Sequence, residues 1–89
     1  MDKHAYDNFL LRLINNEELE FKYKGITYAV VHDPPYVYIF RNVIFANKKY
    51  TTESYERYSS IYQLLDGFKI DGKKIEDIWY KITVCDQHE

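Results

Sequence analysis

One cysteine, two prolines and three glycines are spread over 89 residues, and no apolar run approaches the ~18 residues that a membrane-spanning helix needs. Each scarcity narrows the class. With Cys85 alone, no intramolecular disulfide can form, so the domain must be stable without one and a reducing cytosol is the expected compartment. Few helix and strand breakers, with 46% hydrophobic and 29% charged residues, describe a globular chain without a linker, low-complexity tract or internal repeat. Asp2, Asp7 and Asn8 stand where a signal peptide would carry basic residues followed by an apolar stretch, which points to a soluble cytoplasmic protein with no membrane partner. The length suits one domain, 1–89, burying only about two thirds of the surface its unfolded chain exposes. A net charge of −2 and a pI near 5.9 argue against duplex DNA, whose affinity comes largely from Lys and Arg.

What the chain has in excess is aromatic surface. Ten tyrosines, five phenylalanines and one tryptophan make 18% of the residues, more than a small core requires. Tyrosine offers a large, rigid contact area with a polar tip at low entropic cost, and it is enriched where proteins grip partners or stack on rings.

The periodicity predicts an α+β fold: an N-terminal helix, an antiparallel β-meander of three to four strands and two short C-terminal helices. Tyr6, Phe9, Leu10, Leu13 and Ile14 form a helical stripe, with Asp2 as its cap and Asn15-Asn16 as its stop. The period then falls to two over Leu19, Phe21 and Tyr23, a half-buried strand ending in a Lys24-Gly25 turn. Ile26 to His32 is apolar on both sides and reads as a central strand. Asp33-Pro34-Pro35 predicts a loop. Tyr36 to Arg41 follows as a strand with Tyr36, Tyr38 and Phe40 on one side and Val37, Ile39 and Arg41 on the other, and Asn42 interrupts it before Val43, Ile44 and Phe45.

From Asn47 to Arg57 no clean period is visible, and one further strand is expected there. Ser60 and Gln63 have the spacing of a capping box for a short helix from Ile61 to Asp66, with Gly67 as its C′ residue. Phe68 to Ile70 leads into Asp71-Gly72. Ile75, Ile78, Trp79 and Ile82 then give a second helical face, with Asp71 as its cap and Glu76 and Asp77 near its positive end. Residues 86–89 read as a frayed tail.

Chemistry-bearing motifs are sparse. His4, His32 and His88 have no ligand-spaced partners, so no metal site is expected. The neighbours His32 and Asp33 would point to opposite faces of a strand. Asp86 beside Cys85 would raise its pKa, the reverse of what a nucleophile needs. No phosphate-cradling glycine loop is present, and no cofactor is implied. Glu17, Glu18 and Glu20, Glu76 and Asp77, and the lysine pairs Lys22 and Lys24, Lys48 and Lys49, Lys73 and Lys74 read as solvated surface charge.

Among the aromatics, Tyr6, Tyr28, Tyr62, Phe68 and Trp79 fall on stripes that face a core. Tyr36, Tyr38, Tyr50, Tyr55 and Tyr58 are harder to absorb into so small a core, and with Arg41 and Arg57 they form the candidate contact set, because aromatics and Arg dominate interface hot spots.

An N-terminal helix leading to Glu18-Leu19-Glu20-Phe21-Lys22-Tyr23-Lys24-Gly25, a tyrosine-rich hairpin, Ile61 to Leu65, Phe68 to Gly72 and Ile78-Trp79 together resemble small uncharacterised proteins of Gram-positive bacteria and their phages. Phage-borne proteins of this size resemble host-takeover or anti-defence factors that block a protein or sequester a nucleotide signal. The resemblance implies no particular functional residue. The leading expectation is a non-enzymatic binding protein that occupies a host protein stoichiometrically. A second is a nucleotide sponge, a homo-oligomer whose protomers enclose the ligand between aromatic rings and Arg41 or Arg57. An enzyme ranks last, since no nucleophile, base and orienting group can be assembled from the sequence.

Overall fold

The computed structural model describes residues 3–85; the expected Asp2 cap, His88 and the expected tail 86–89 lie outside the described residues. The α+β class is as the periodicity indicates. Helix α1 spans Lys3–Ile14. It ends where asparagine can turn left-handed: Asn16 has φ 66°, its N–H reaches Leu13 O, and the Glu17 N–H reaches Arg12 O, the paired bonds of a Schellman motif. The Arg12 guanidinium then closes on Glu17 at 2.9 Å.

Strands β1 (Leu19–Tyr23), β2 (Ile26–Asp33), β3 (Tyr36–Arg41), β4 (Ile44–Ala46), β5 (Lys49–Thr51) and β6 (Ser54–Tyr58) follow. All joined neighbours among them are antiparallel, and the main sheet has the order β6-β3-β2-β1 with a fifth strand, β9 (Thr83–Cys85), on the β1 edge. β2 is therefore central, as its two-sided apolarity predicts. Two-residue turns with positive φ at both positions close β1–β2 at Lys24-Gly25 and β4–β5 at Asn47-Lys48, the I′ geometry that matches strand twist. Asp33 remains in the ladder opposite Tyr36, so the expected proline loop is only the two residues Pro34 and Pro35, whose peptide bond is cis.

The segment after Asn47 carries two strands where one is expected. β5 pairs only with β4, forming a separate hairpin, and its turn has no glycine to announce it. Helix α2 (Ile61–Gly67) starts at Ser60, whose hydroxyl accepts the Gln63 N–H at 3.1 Å. The return bond of the box goes to the wrong neighbour: Gln63 Oε1 accepts from Ser59, not Ser60. Gly67 lies inside the helix rather than beyond it. Its lack of a side chain serves packing, since a Cβ there would meet the Tyr58 ring at 3.1 Å.

Asp71 does not cap a helix. With Gly72 it forms a third I′-type turn, between β7 (Lys69–Ile70) and β8 (Lys73–Lys74), and its carboxylate holds Lys24 Nζ at 3.1 Å, tying two turns together. Helix α3 covers only Ile75–Ile78, with Lys74 at its cap position and no side-chain cap bond, followed by a 3₁₀ turn over Trp79–Lys81. Ile82 lies outside the helix, and the chain straightens to pair β9 with β1. The expected last helix is thus cut short by a strand.

The core lies on one face of the sheet. Leu19, Phe21 and Tyr23 from β1, Tyr28 and Val30 from β2, and Val37 and Ile39 from β3 are buried there against Phe9 and Leu13 of α1, Ile61 and Leu64 of α2, and Phe68, Ile75 and Trp79. Ring contacts knit the layers: Phe9 meets Phe21 edge-on at 6.1 Å, and Phe21 stacks on Tyr28 at 5.2 Å. Tyr62, expected inside, is 67% exposed, because the short helix buries only Ile61 and Leu64.

Phe21 is fully buried at the centre of these contacts. Phe21→Ala is expected to cost roughly 3–5 kcal/mol, a large part of the roughly 5–15 kcal/mol that holds a domain folded. Urea unfolding followed by Trp79 fluorescence checks this; a loss below about 1 kcal/mol would contradict the packing described.

Candidate functional site: the aromatic face and its hairpin

Alternation along β3 and β6 turns Tyr36, Tyr38, Phe40, Tyr55 and Arg57 away from the helices. The rings form one continuous cluster. Tyr36 and Tyr38 meet edge-on at 6.5 Å, Tyr38 stacks on Phe40 at 6.2 Å, and Tyr55 contacts both Tyr38 and Phe40 at 5.8 and 5.6 Å. The Arg57 guanidinium lies 4.3 Å over the Tyr36 ring. None of these side chains belongs to the buried core.

The β4–β5 hairpin extends this apolar surface. Val43 N–H bonds to Thr27 O at 2.8 Å, and the Thr52 hydroxyl donates to Arg41 O at 2.6 Å, so both roots of the hairpin are fastened to the sheet. Phe45 and Tyr50 pair across it at 4.7 Å and are 60% and 66% exposed. Between the hairpin and the sheet lies a groove of about 360 Å³, floored by Ala29 and Val31, walled by Phe40 and Tyr50, and edged by Glu18 and Glu20.

Of the seven residues expected to make contact, Tyr36, Tyr38, Tyr55 and Arg57 share the helix-free face, and Tyr50 joins them from the hairpin. Arg41 and Tyr58 do not. They point to the helix side, where Arg41 Nη2 pairs with Glu56 Oε2 at 2.6 Å, donates to Lys69 O at 3.2 Å and lies 4.4 Å over Phe68, while the Tyr58 hydroxyl donates to the same carboxylate. Burial raises the Glu56 pKa, but the Tyr58 hydrogen bond and the Arg41 guanidinium outweigh it and leave the carboxyl below its ordinary range. Burial and the Glu56 carboxylate push the Tyr58 phenol up to about 12. This cluster joins β3 and β6 to the segment after α2.

Sequence reasoning left Phe40, Phe45, Ala29, Glu18 and Glu20 outside the contact set. Phe40 shares the parity of Tyr36 and Tyr38, so that signal was present; the role of Ala29 depends on register alone. His32 faces the helix side and Asp33 the other, as neighbours in a strand must, and His32 Nε2 is buried without a hydrogen-bond partner among the described residues. Among the described residues there is also no group of three or more His, Cys, Asp or Glu that could hold a metal, and no helix is long and apolar enough to cross a membrane. Cys85 lies in edge strand β9, opposite Glu20. Of the lysines read as free surface charge, Lys24 binds Asp71, and Lys74 binds Asp66 at 2.8 Å.

No family model, curated protein or solved structure matches the chain.

Because the Glu56 pKa is depressed by folding, its contribution is complete above the ordinary value of 4.5 and is lost as pH falls through the lower folded value. Glu56→Gln is expected to cost about 1 kcal/mol at neutral pH, the half-exposed pair being partly screened. Urea titrations at a series of pH values should show the two proteins converging as acid is added; a gap independent of pH would contradict the assignment.

Proposed function

We propose that this is a non-enzymatic binding protein that acts by stoichiometric occupation of a protein target through the helix-free face of its sheet. The observation that carries the reading is the unbroken ring cluster of Tyr36, Tyr38, Phe40 and Tyr55 outside the core, continued by the exposed Phe45 and Tyr50 of the hairpin. Tyr36, Tyr38 and Phe40 are half-buried and Tyr55 is exposed; contiguous apolar surface left open to solvent marks interaction sites, and rigid aromatics supply binding energy with little entropy to lose. A small inhibitor of a host protein, encoded by a phage or mobile element, fits such a surface.

Capture of a nucleotide between protomers is the second reading, and the contact in its favour is Arg57 over Tyr36. Arg41, the other cation proposed for that role, is engaged by Glu56 on the opposite face. The carboxylates beside the groove also disfavour a phosphate there.

Native mass spectrometry of the protein gently purified from an expressing bacterial lysate separates the readings. A stoichiometric complex with one defined protein is expected, and Tyr38→Ala with Tyr55→Ala should lose it by at least about tenfold in affinity, as for hot-spot aromatics, while retaining the wild-type fold. A bound mass of a few hundred daltons would instead favour the nucleotide, and a folded double variant that keeps its protein partner would overturn the proposed face.

A further inference from the structure

The register of the sheet places an unusual row beneath the hairpin. Glu20 of β1, Ala29 of β2, Phe40 of β3 and Tyr55 of β6 are direct cross-strand partners on the helix-free face. With strands about 4.8 Å apart, Glu20 and Phe40 stand roughly 10 Å apart at the backbone, and Ala29, with a side chain of one methyl group, is the residue of the row between them. Ala29, Phe40 and Glu20 of this row all line the groove, and Tyr50 lines it from the hairpin. Glu18 stands at the same edge, and among the described residues no basic side chain lines the groove. Neither carboxylate is engaged by a cation of the described residues: the ion pairs there use Glu17, Asp71, Glu56 and Asp66. Lys22, on the same face as Glu20, pairs with neither.

An aromatic ring facing a carboxylate across a shallow apolar floor suits a flat, weakly hydrated cation. A guanidinium stacks on ring faces and presents a fork of donors to a carboxylate. An ammonium would match the charge but offers no plane to stack on the ring, and a phosphate would be repelled by the carboxylates. We infer that the groove between the sheet and the β4–β5 hairpin receives an arginine side chain of the protein partner, with the guanidinium over Ala29 between Phe40 and the carboxylates of Glu20 and Glu18. The inference rests on the binding-face reading above and gives that face a charge preference: rings alone fix area, whereas the groove selects a basic residue at one end of the contact.

The test is an NMR titration of the full chain with the capped tetrapeptide acetyl-Gly-Arg-Tyr-Gly-amide, beside the same peptide with citrulline in place of arginine. Citrulline keeps the planar shape and removes the charge. The arginine peptide is expected to shift the amide signals of Glu20, Ala29 and Phe40 saturably and to bind about tenfold more tightly than the citrulline peptide. Glu18→Gln with Glu20→Gln, the first at an exposed and the second at a half-buried position, should reduce that preference to about twofold or less, as expected when charge complementarity sets the difference. Equal affinity for the two peptides, shifts confined to the Tyr36 end of the face, or no shift from either peptide at millimolar concentration would overturn the inference. So would the same shifts produced by concentrating the protein alone, since a second copy would then fill the groove. If the arginine peptide fails while Tyr38→Ala with Tyr55→Ala still abolishes the complex with the protein target, the groove assignment falls and the binding face stands. The reverse pattern separates them the other way.

Discussion

The antiparallel register that sets Leu19 opposite Val30, Phe21 opposite Tyr28 and Val30 opposite Ile39 is the constraint from which the other features follow. In a sheet with helices on one face, side-chain period two makes register an all-or-none choice, because a slip of one residue would send the entire apolar set to the opposite face. Here the helix side receives Phe21, Tyr28, Val30 and Ile39, and the same alternation necessarily delivers Tyr36, Tyr38, Phe40 and Tyr55 to the other side. Core and aromatic face are two results of one pairing. Within this sheet the Lys24-Gly25 turn, with positive φ at both central residues, holds the β1–β2 pairing in place, since a two-residue loop leaves no slack for a shifted alignment.

Charge is distributed according to the same division. On the helix side Arg41, Glu56 and Tyr58 satisfy one another at the junction of β3, β6 and the chain after α2. Lys24 with Asp71 and Lys74 with Asp66 link neighbouring turns and α2 at the surface, where each pair contributes little to stability because solvent screens it. On the other side Arg57 is held over a tyrosine ring rather than by a carboxylate, and Glu18 and Glu20 have no cationic partner among the described residues. Asp33 shares the Tyr36 end of this face with Arg57, and Lys22 shares the β1 end with Glu20, so charge of both signs borders the ring cluster.

The elements that local pattern predicts well are those whose partners lie close in sequence. The stripe of α1 as far as Leu13, though not Ile14, which is exposed, its stop at Asn15-Asn16, the β1–β2–β3 meander and the cap at Ser60 all depend on spacing within a few residues. The misreadings concern segments whose fate depends on distant neighbours. Ile82 continues a helical spacing, yet β1 offers an open edge and Thr83–Cys85 pair with it, tertiary contact overriding a short periodic signal. Gly67 has the composition of a helix stop, but the approach of Tyr58 explains its presence. Tyr62 follows the stripe of α2, but a helix of two turns has room to bury only Ile61 and Leu64.

For the candidate site, residue type and parity along single strands determined that tyrosines would be in surplus and that Tyr36, Tyr38 and Phe40 would share a side. They also determined that no compact catalytic motif could be assembled from neighbours in sequence. Only the tertiary structure decided that this side is the one without helices, that Arg41 and Tyr58 belong to the other, and that Glu20, Ala29 and Phe40 stand in one row under the hairpin. The reason is physical: alternation along a strand is a local property of the pleated backbone, whereas the row across strands exists only once hydrogen bonding has chosen which residues face one another.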